Sequence, residues 1–422
     1  MTPTPESVAA LLAERPGAVW LDGESGGSRW SILSFSPDDV ITDAAGWVSS
    51  GRSLVRPESR GGAPFAGGVI GYLGYGAGAH VEAVPPDGPT PEPPVWLARY
   101  PGGLCFDHDA GAWIVEGEPD FVRAGCALIA RAERLPPAPP APPATARSAS
   151  RREHEHRIRR ILEWIADGDC YQVNLARAVE MDGSDNAFAA YRRLRVGSPA
   201  PYGAFLRISE DLAVLSNSPE RLLDRRGAHV VSSPIKGTRP RGADPASDRA
   251  LADALAGSEK DRAELVMIVD LVRNDLGKVA TPGSVVAHAR RLVRTATVHH
   301  AVADVTATLR DGLDAWDTLA ALLPYGSVTG APKIRACERI RELEDASRGV
   351  YTGAIGYVAD GGDASFSVAI RTAVHGRGWA RFHVGGGIVA DSDPAEEWAE
   401  TEVKAAALTR ALVGARALAE VG

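Results

Sequence analysis

The chain lacks most of the features that mark a secreted, membrane or nucleic-acid-binding protein. Its four cysteines, Cys105, Cys126, Cys170 and Cys337, stand far apart with no C-x-x-C pair, which argues against a zinc ribbon or a disulfide framework. None sits in a G-x-C-x-G elbow, so the chain has no glutaminase nucleophile and any glutamine-derived nitrogen must come from another polypeptide. Lys and Arg (46) are outnumbered by Asp and Glu (54), for a net charge of −8, and the basic footprint of a nucleic-acid binder is missing. No apolar run reaches the roughly 18 residues of a membrane span. No charged-then-apolar leader follows Met1, so a cytoplasmic location is expected. A G-x-x-x-x-G-K-[ST] phosphate loop is absent, and so is any repeat of fixed period. Methionines number three against 45 glycines and 30 prolines, a bias of GC-rich coding rather than of a structural class.

What is present is ordinary soluble composition, 45% apolar and 24% charged over 422 residues, enough for one large domain or two. The clearest seam is Leu135–Ser150, whose six prolines predict an extended connector. Residues 1–134 read as short strands separated by Gly/Ser turns, with a glycine-rich strand at Gly67–Tyr75. Residues 151–422 mix helices with paired strands. Helices are expected over Arg151–Asp167, Asp248–Ala256, Lys260–Asn274, Pro332–Leu343 and Pro394–Leu418. Strands are expected at Gln172–Leu175, Leu212–Ser216, Val230–Ser232, Val302–Ala307, Gly353–Tyr357, Ser365–Arg371 and Arg381–Val384. Strands in runs rather than strict βαβ order predict an α+β fold with mostly antiparallel sheets.

Several constellations carry chemistry. In Lys260–Leu271, Glu264 shares a helix face with Met267, Ile268 and Leu271. A carboxylate in an apolar stripe needs a partner; a metal ion and a buried pair with Arg273 are equal readings of the spacing. In Ala390–Lys404, Asp391–Asp393 offer an N-cap and Pro394 a first turn. Glu397, Glu400 and Lys404 then fall within about 60° on one face, above a stripe of Leu408, Ala411 and Leu412. Solvated ion pairs are the plain reading; with Glu264 they make hard oxygen ligands suited to Mg²⁺. Gly326–Arg335 runs a small-residue loop into a helix N-terminus, a carboxylate cradle or an ordinary capped turn. Gly385–Gly387 suits anion approach or a sharp turn. Glu220, after a strand, is a general acid if buried and otherwise a turn residue. Arg371 on its expected strand needs an anion, and His300 reads as a structural histidine. Pro234-Ile235-Lys236-Gly237-Thr238-Arg239-Pro240-Arg241 places a lysine between proline and glycine turns, midway between the two carboxylate groups.

Six motifs in order resemble the chorismate-utilising enzymes over residues 151–422: GDCYQVNLAR, NSPERLL, PIKGTRPR, DRAELVMIVDLVRND, GSVTGAPKIRACE and GGGIVADSDPAEEWAETEVKAAAL. The resemblance implies a large antiparallel β-sandwich wrapped by helices, with residues 1–134 and 151–422 free to interleave. It implies Mg²⁺ held by Glu264 and Glu400 with Asp261 and Glu397 in support. Chorismate is then gripped by Tyr351, Arg371, Lys404 and the amides of Gly385, Gly386 and Gly387, with Thr238, His300 and Thr329 lining its ring pocket. Glu220 matches the acid that protonates the departing C4 hydroxyl. Gln172 stands where isochorismate and salicylate synthases carry a water-activating lysine, and Lys236 where anthranilate synthases carry alanine. PIKGTRPR is similar to the aminodeoxychorismate synthase component I branch, which implies C4 amination through a Lys236 adduct. That branch implies a glutamine amidotransferase subunit as ammonia source and a lyase downstream toward p-aminobenzoate and folate. Burial or the neighbouring Arg239 and Arg241 are expected to lower the Lys236 pKa. Anthranilate synthase component I, an aminodeoxyisochorismate synthase and a silent chorismate- or glutaminase-binding partner are the competing readings. Leu265 and Tyr325 depart from the usual pattern, and Ser28–Ser31 resembles the edge of the family's tryptophan site.

Overall fold

Three antiparallel sheets organise the computed structural model, which describes residues 2–23, 28–58, 61–295 and 298–414. The largest, with 11 strands, runs Gly330–Ala331, Gln172–Asp182, Trp379–Ile388, Thr372–Gly376, Ala213–Ser218, Tyr202–Arg207, Val19–Asp22, Trp30–Ser34, Gly102–Asp107 and Ala112–Gly117, with Thr145–Ser148 beside Gln172–Asp182. The second has nine strands and combines Asp39–Ile41, Gly68–Leu73 and Val95–Tyr100 with six strands from beyond residue 200. Both sheets therefore draw on residues 1–134 and on residues 151–422, and the two stretches interleave. The expected α+β class with antiparallel sheets is what the fold displays.

Alternation along the strands buries one set of side chains between the sheets. Val19, Ile32, Tyr72, Trp96, Val214 and Ile355 meet there in one apolar cluster. The outer face of the larger sheet is covered by Ala187–Gly197 and Pro394–Leu412, whose Tyr191, Leu194, Leu408 and Leu412 pack on Phe205, Leu215 and Phe382. Glu259–Gly277 and Ala315–Leu322 cover the other sheet through Ile268, Val272, Trp316 and Leu319. Each such side chain contributes about 1.5–3 kcal/mol on burial.

Several expectations change. Residues 1–134 hold helices as well as strands, at Pro5–Leu12, Trp47–Ser53 and Pro119–Arg131. The proline-rich connector ends in a short strand, Thr145–Ser148, because that end carries no proline and can pair with Val179–Asp182. Val302–Ala307 is two strands, Val298–Val302 and Val305–Thr308, in different sheets. Ser365–Arg371 is not one strand either. Ala364–Val368 ends in the nine-stranded sheet and Thr372–Gly376 starts in the larger one. Arg371 sits in the crossing with φ 51°, off any strand. The helix expected over Pro394–Leu418 runs Pro394–Leu412, and residues 415–418 lie outside the described residues.

The third sheet is a flap of three strands, Ile235–Pro240, Val298–Val302 and Arg291–Arg294. Ile235–Pro240 of PIKGTRPR is thus a strand, where turns about the lysine were expected. Its pairing slips between Ile235 and Thr238, a bulge that re-aims side chains. Gly237 takes φ 84° there, and a Cβ on it would come within 2.8 Å of Asp261 Cγ. Only glycine fits both demands.

Candidate active site

Lys236 leaves the bulge toward the body of the protein and donates from Nζ to the Ser327 carbonyl at 3.1 Å. Burial lowers its pKa, opposed by the charges of Glu264, Glu220 and Glu400 and assisted by Lys404. Arg239 and Arg241 take no part in that. Arg239 Nη2 donates to Asp261 at 2.9 Å and Arg241 to Asp248 at 2.6 and 3.0 Å, so both are neutralised where they stand.

Glu220 follows the strand Ala213–Ser218 and is 3% exposed. Burial pushes its carboxyl up to about 7, against the opposing effects of the Ser327 hydroxyl, the Lys236 charge and the Ile235 amide. The Ile235 N–H lies 3.4 Å from Oε1. A carboxyl still half protonated at neutral pH can donate a proton. Tyr325, fully buried, bonds Ser232 at 3.0 Å, and Glu220 is among the charges that raise its pKa. Its carbonyl accepts from the Thr329 hydroxyl at 2.9 Å, which fixes the loop that carries Ser327.

The opposite wall is helical. Ser258 caps Glu259–Gly277, which carries Asp261 and Glu264, and Asp393 caps Pro394–Leu412, which carries Glu397, Glu400 and Lys404. Arg273 pairs with Asp270 rather than Glu264, so the buried-pair reading of Glu264 does not hold. Burial raises the Glu264 pKa, and the nearby Asp261 and Glu397 raise it further. Burial likewise raises Glu397, with Glu400 adding to it while the Ser392 hydroxyl, 2.6 Å away, opposes. Lys404 lowers Glu400 through an ion pair at 2.6 Å, although the Glu400 side chain is 53% exposed. Lys260 reaches Glu397 at 3.9 Å. Among the described residues no three His, Cys, Asp or Glu side chains close into a ready metal cage. The donor set nonetheless fits a hard cation. Burial and neighbouring carboxylates raise the proton affinity of Glu264 and Glu397 despite Lys260 nearby, and Mg²⁺ takes few protein oxygens, keeping water and substrate as its other ligands. Asp261 already serves Arg239.

Between the walls runs the ladder of Gln172–Asp182 with Trp379–Ile388. Gly385, Gly386 and Gly387 lie inside it, paired with Ala176, Leu175 and Asn174, and are not a turn. Their role is close approach. A Cβ on Gly386 would sit 3.1 Å from Glu397 Oε2, and one on Gly387 would sit 3.1 Å from Gln172. Lys404 Nζ donates to the Gly385 carbonyl at 2.8 Å. Gln172 is 0% exposed, yet neither amide atom has a hydrogen-bond partner. Such a group costs roughly 1–3 kcal/mol unless a ligand or water satisfies it.

Arg371 makes no hydrogen bond or ion pair from its guanidinium among the described residues, and burial lowers its pKa. It is a cation without an anion, and its charge also lowers His300, which burial already drives down to about 4. The neutral His300 bonds Thr238 Oγ1 through Nδ1 at 2.8 Å. Tyr351 stacks on His383 at 5.3 Å and burial pushes it up to about 12. Thr329 is wholly buried in its loop. Ser327, Ser392 and Lys260 escaped the sequence reading. Ser327 lay within GSVTGAPK but looked like a turn cap, and the others had no signal beyond proximity to Glu397.

The arrangement defines an α+β enzyme whose cleft sets desolvated acid–base groups against helix-borne carboxylates. Residues 18–410 match the chorismate binding enzyme family, and the chain belongs to that family. It is 40% identical over 342 residues to aminodeoxychorismate synthase component 1 of Salmonella typhimurium, covering 80% of this chain and 75% of that protein. It is 37% identical over 457 residues to anthranilate synthase component 1 of Pseudomonas putida, covering 97% and 92%. The crystal structure of anthranilate synthase component I from Streptococcus pneumoniae shares the fold with a TM-score of 0.79 at 29% identity, covering 90% and 92%. The family resemblance carried by the six motifs and the expected enzyme class both hold.

Proposed function

We propose that the protein aminates chorismate at C4 with ammonia to give 4-amino-4-deoxychorismate. The observation that carries this reading is Lys236, desolvated beside a glycine bulge and held at the same Ser327 and within electrostatic reach of the raised-pKa acid Glu220. Burial favours the uncharged, nucleophilic amine. The Lys236 amine attacks C2, both ring double bonds shift (to C1–C6 and C4–C5), and the C4–O bond breaks, the hydroxyl departing as water with the proton of Glu220. Ammonia then attacks C4, both double bonds return, the C2–N bond to Lys236 breaks with the enolpyruvyl group retained, and the proton lost from the new C4 ammonium restores Glu220. Gln172 cannot serve as a base for water, which disfavours hydroxylation at C2.

Bound Mg²⁺ would supply positive charge for the ring carboxylate of the substrate, held by Glu264 and Glu400 with Asp261 and Glu397 in support. Arg371, with no anion of its own, and Tyr351 suit the carboxylates of chorismate. Lys404 and the Gly385–Gly387 backbone border the same space, and Thr238, His300 and Thr329 shape the ring pocket. Ammonia comes from a glutamine amidotransferase subunit. A lyase would carry the product on toward p-aminobenzoate, and the setting is the cytoplasm. The second reading is anthranilate synthase component I, favoured by the relative that aligns over 97% of the chain.

The covalent step is tested by omitting ammonia. Chorismate and Mg²⁺ should leave the Lys236 peptide heavier by chorismate minus water in acid-quenched samples. An unmodified peptide during confirmed chorismate consumption removes the adduct from the account.

A further inference from the structure

Lys236 belongs to neither large sheet, so something must fix the flap on which it rides. At the far end of Ile235–Pro240, four groups converge on one carboxylate, Asp248, buried in the first turn of Pro245–Gly257. Arg241 donates to it from Nε at 2.6 Å and from Nη2 at 3.0 Å. The Gly242 amide donates at 3.0 Å and His299 Nε2 at 2.8 Å, with Arg294 at 3.6 Å. These donors come from the end of the Lys236 strand and from both other strands of the flap. A Cβ on Gly242 would lie 2.1 Å from the Asp248 nitrogen, so the chain passes hard against the helix there. His299 precedes His300, whose ring faces the other way to Thr238.

We propose that Asp248 is a positioning residue for the amination: by holding all three strands of the flap at one point, it sets where Lys236 and His300 stand in the cleft. Arg239 with Asp261 forms a second tie to the neighbouring helix, but that tie reaches one strand only. Asp248 touches no reacting atom. Its substitution should act through the lysine, so the products report on it and the overall rate alone does not. The inference rests on the C4 amination reading in one arm of its test.

Asp248→Ala, Asp248→Asn and His299→Gln are compared with wild type using chorismate, Mg²⁺ and ammonium chloride. A displacement of about an ångström is enough to cost on the order of 100-fold, and Asp248→Ala should lose at least ~10-fold in C4 amine. The fraction aminated at C2 should rise, as it should when Lys236 itself is removed. Asp248→Asn, which can still accept from Gly242 and His299, should lie between, with His299→Gln mildest. Independently of any turnover, reductive methylation with formaldehyde and cyanoborohydride should label Lys236 several-fold faster in Asp248→Ala, read by peptide mass. Unchanged product ratio and unchanged Lys236 labelling, whatever the total rate, overturn the proposal. If Asp248→Ala does not fold, the same two readings on Asp248→Asn and His299→Gln decide it. Should wild type make no C4 amine, the functional reading fails, while the labelling comparison still reads the clamp.

Discussion

On one wall of the cleft the charged groups ride on helices, with Glu400 and Lys404 open to water; on the other Glu220 is buried just past a strand and Lys236 stands half-buried on one. Glu400 and Lys404 pair in the open, and Glu264 and Glu397 stay raised by burial and neighbouring carboxylates although Lys260 lies near. Glu220 and Lys236 instead have their proton affinities moved toward one another by burial, the acid upward and the amine downward. The helical wall is built to receive charge. Under the proposed function, the strand wall supplies the uncharged reactive forms.

The comparison breaks if substitutions on the two walls behave alike. The largest effect should come from Glu220→Gln, which keeps shape and removes the transferable proton, lowering kcat by about 10²–10⁴-fold with little change in the Mg²⁺ requirement. Next, Glu264→Gln should raise the Mg²⁺ concentration for half-maximal rate by at least ~10-fold, and excess Mg²⁺ should restore most of kcat. Measuring both constants for both variants checks the contrast; a Glu220→Gln defect cured by Mg²⁺ would contradict it.

The pH dependence sharpens it. Glu220 must be protonated to act, and its raised pKa keeps it so up to about 7. The rate should therefore fall as pH climbs through that value, and the limb should vanish in the residual activity of Glu220→Gln. Lys236 must be neutral, and its lowered pKa places the rising limb below that of an ordinary lysine. The smallest expected effect is that of Gly386→Ala. Its Cβ would press on Glu397 at 3.1 Å, and a shift of a few tenths of an ångström should weaken Mg²⁺ activation by less than ~10-fold, under about 1.4 kcal/mol. Titration of Mg²⁺ against rate reads it directly.

The helical wall was the more legible in sequence. Period 3.6 put Glu397, Glu400 and Lys404 on one face and Glu264 on an apolar stripe, and the Asp393 cap stood next to Pro394. The strand wall was not, because its neighbours are set by sheet order rather than by spacing. Nothing local joins Gly387 to Gln172 or Asp248 to His299. Alternation in SVAIRT looked like one strand through Arg371, but a crossing between sheets leaves the same apolar pattern while turning the backbone through a positive φ. Arg239 and Arg241 read as partners of Lys236 because they are close in sequence. The bulge between Ile235 and Thr238 re-aims the side chains on either side of it, and each arginine found an aspartate from a helix instead.

The account rests most heavily on Lys236, and the identity of the amine product tests it most directly. Wild type and Lys236→Ala are incubated with chorismate, Mg²⁺ and ammonium chloride, with and without a lyase that converts 4-amino-4-deoxychorismate to p-aminobenzoate. The account predicts p-aminobenzoate from wild type only when the lyase is present, and none from Lys236→Ala, which should be inert or turn to anthranilate. Anthranilate from wild type without the lyase would contradict it and make Lys236 a bystander.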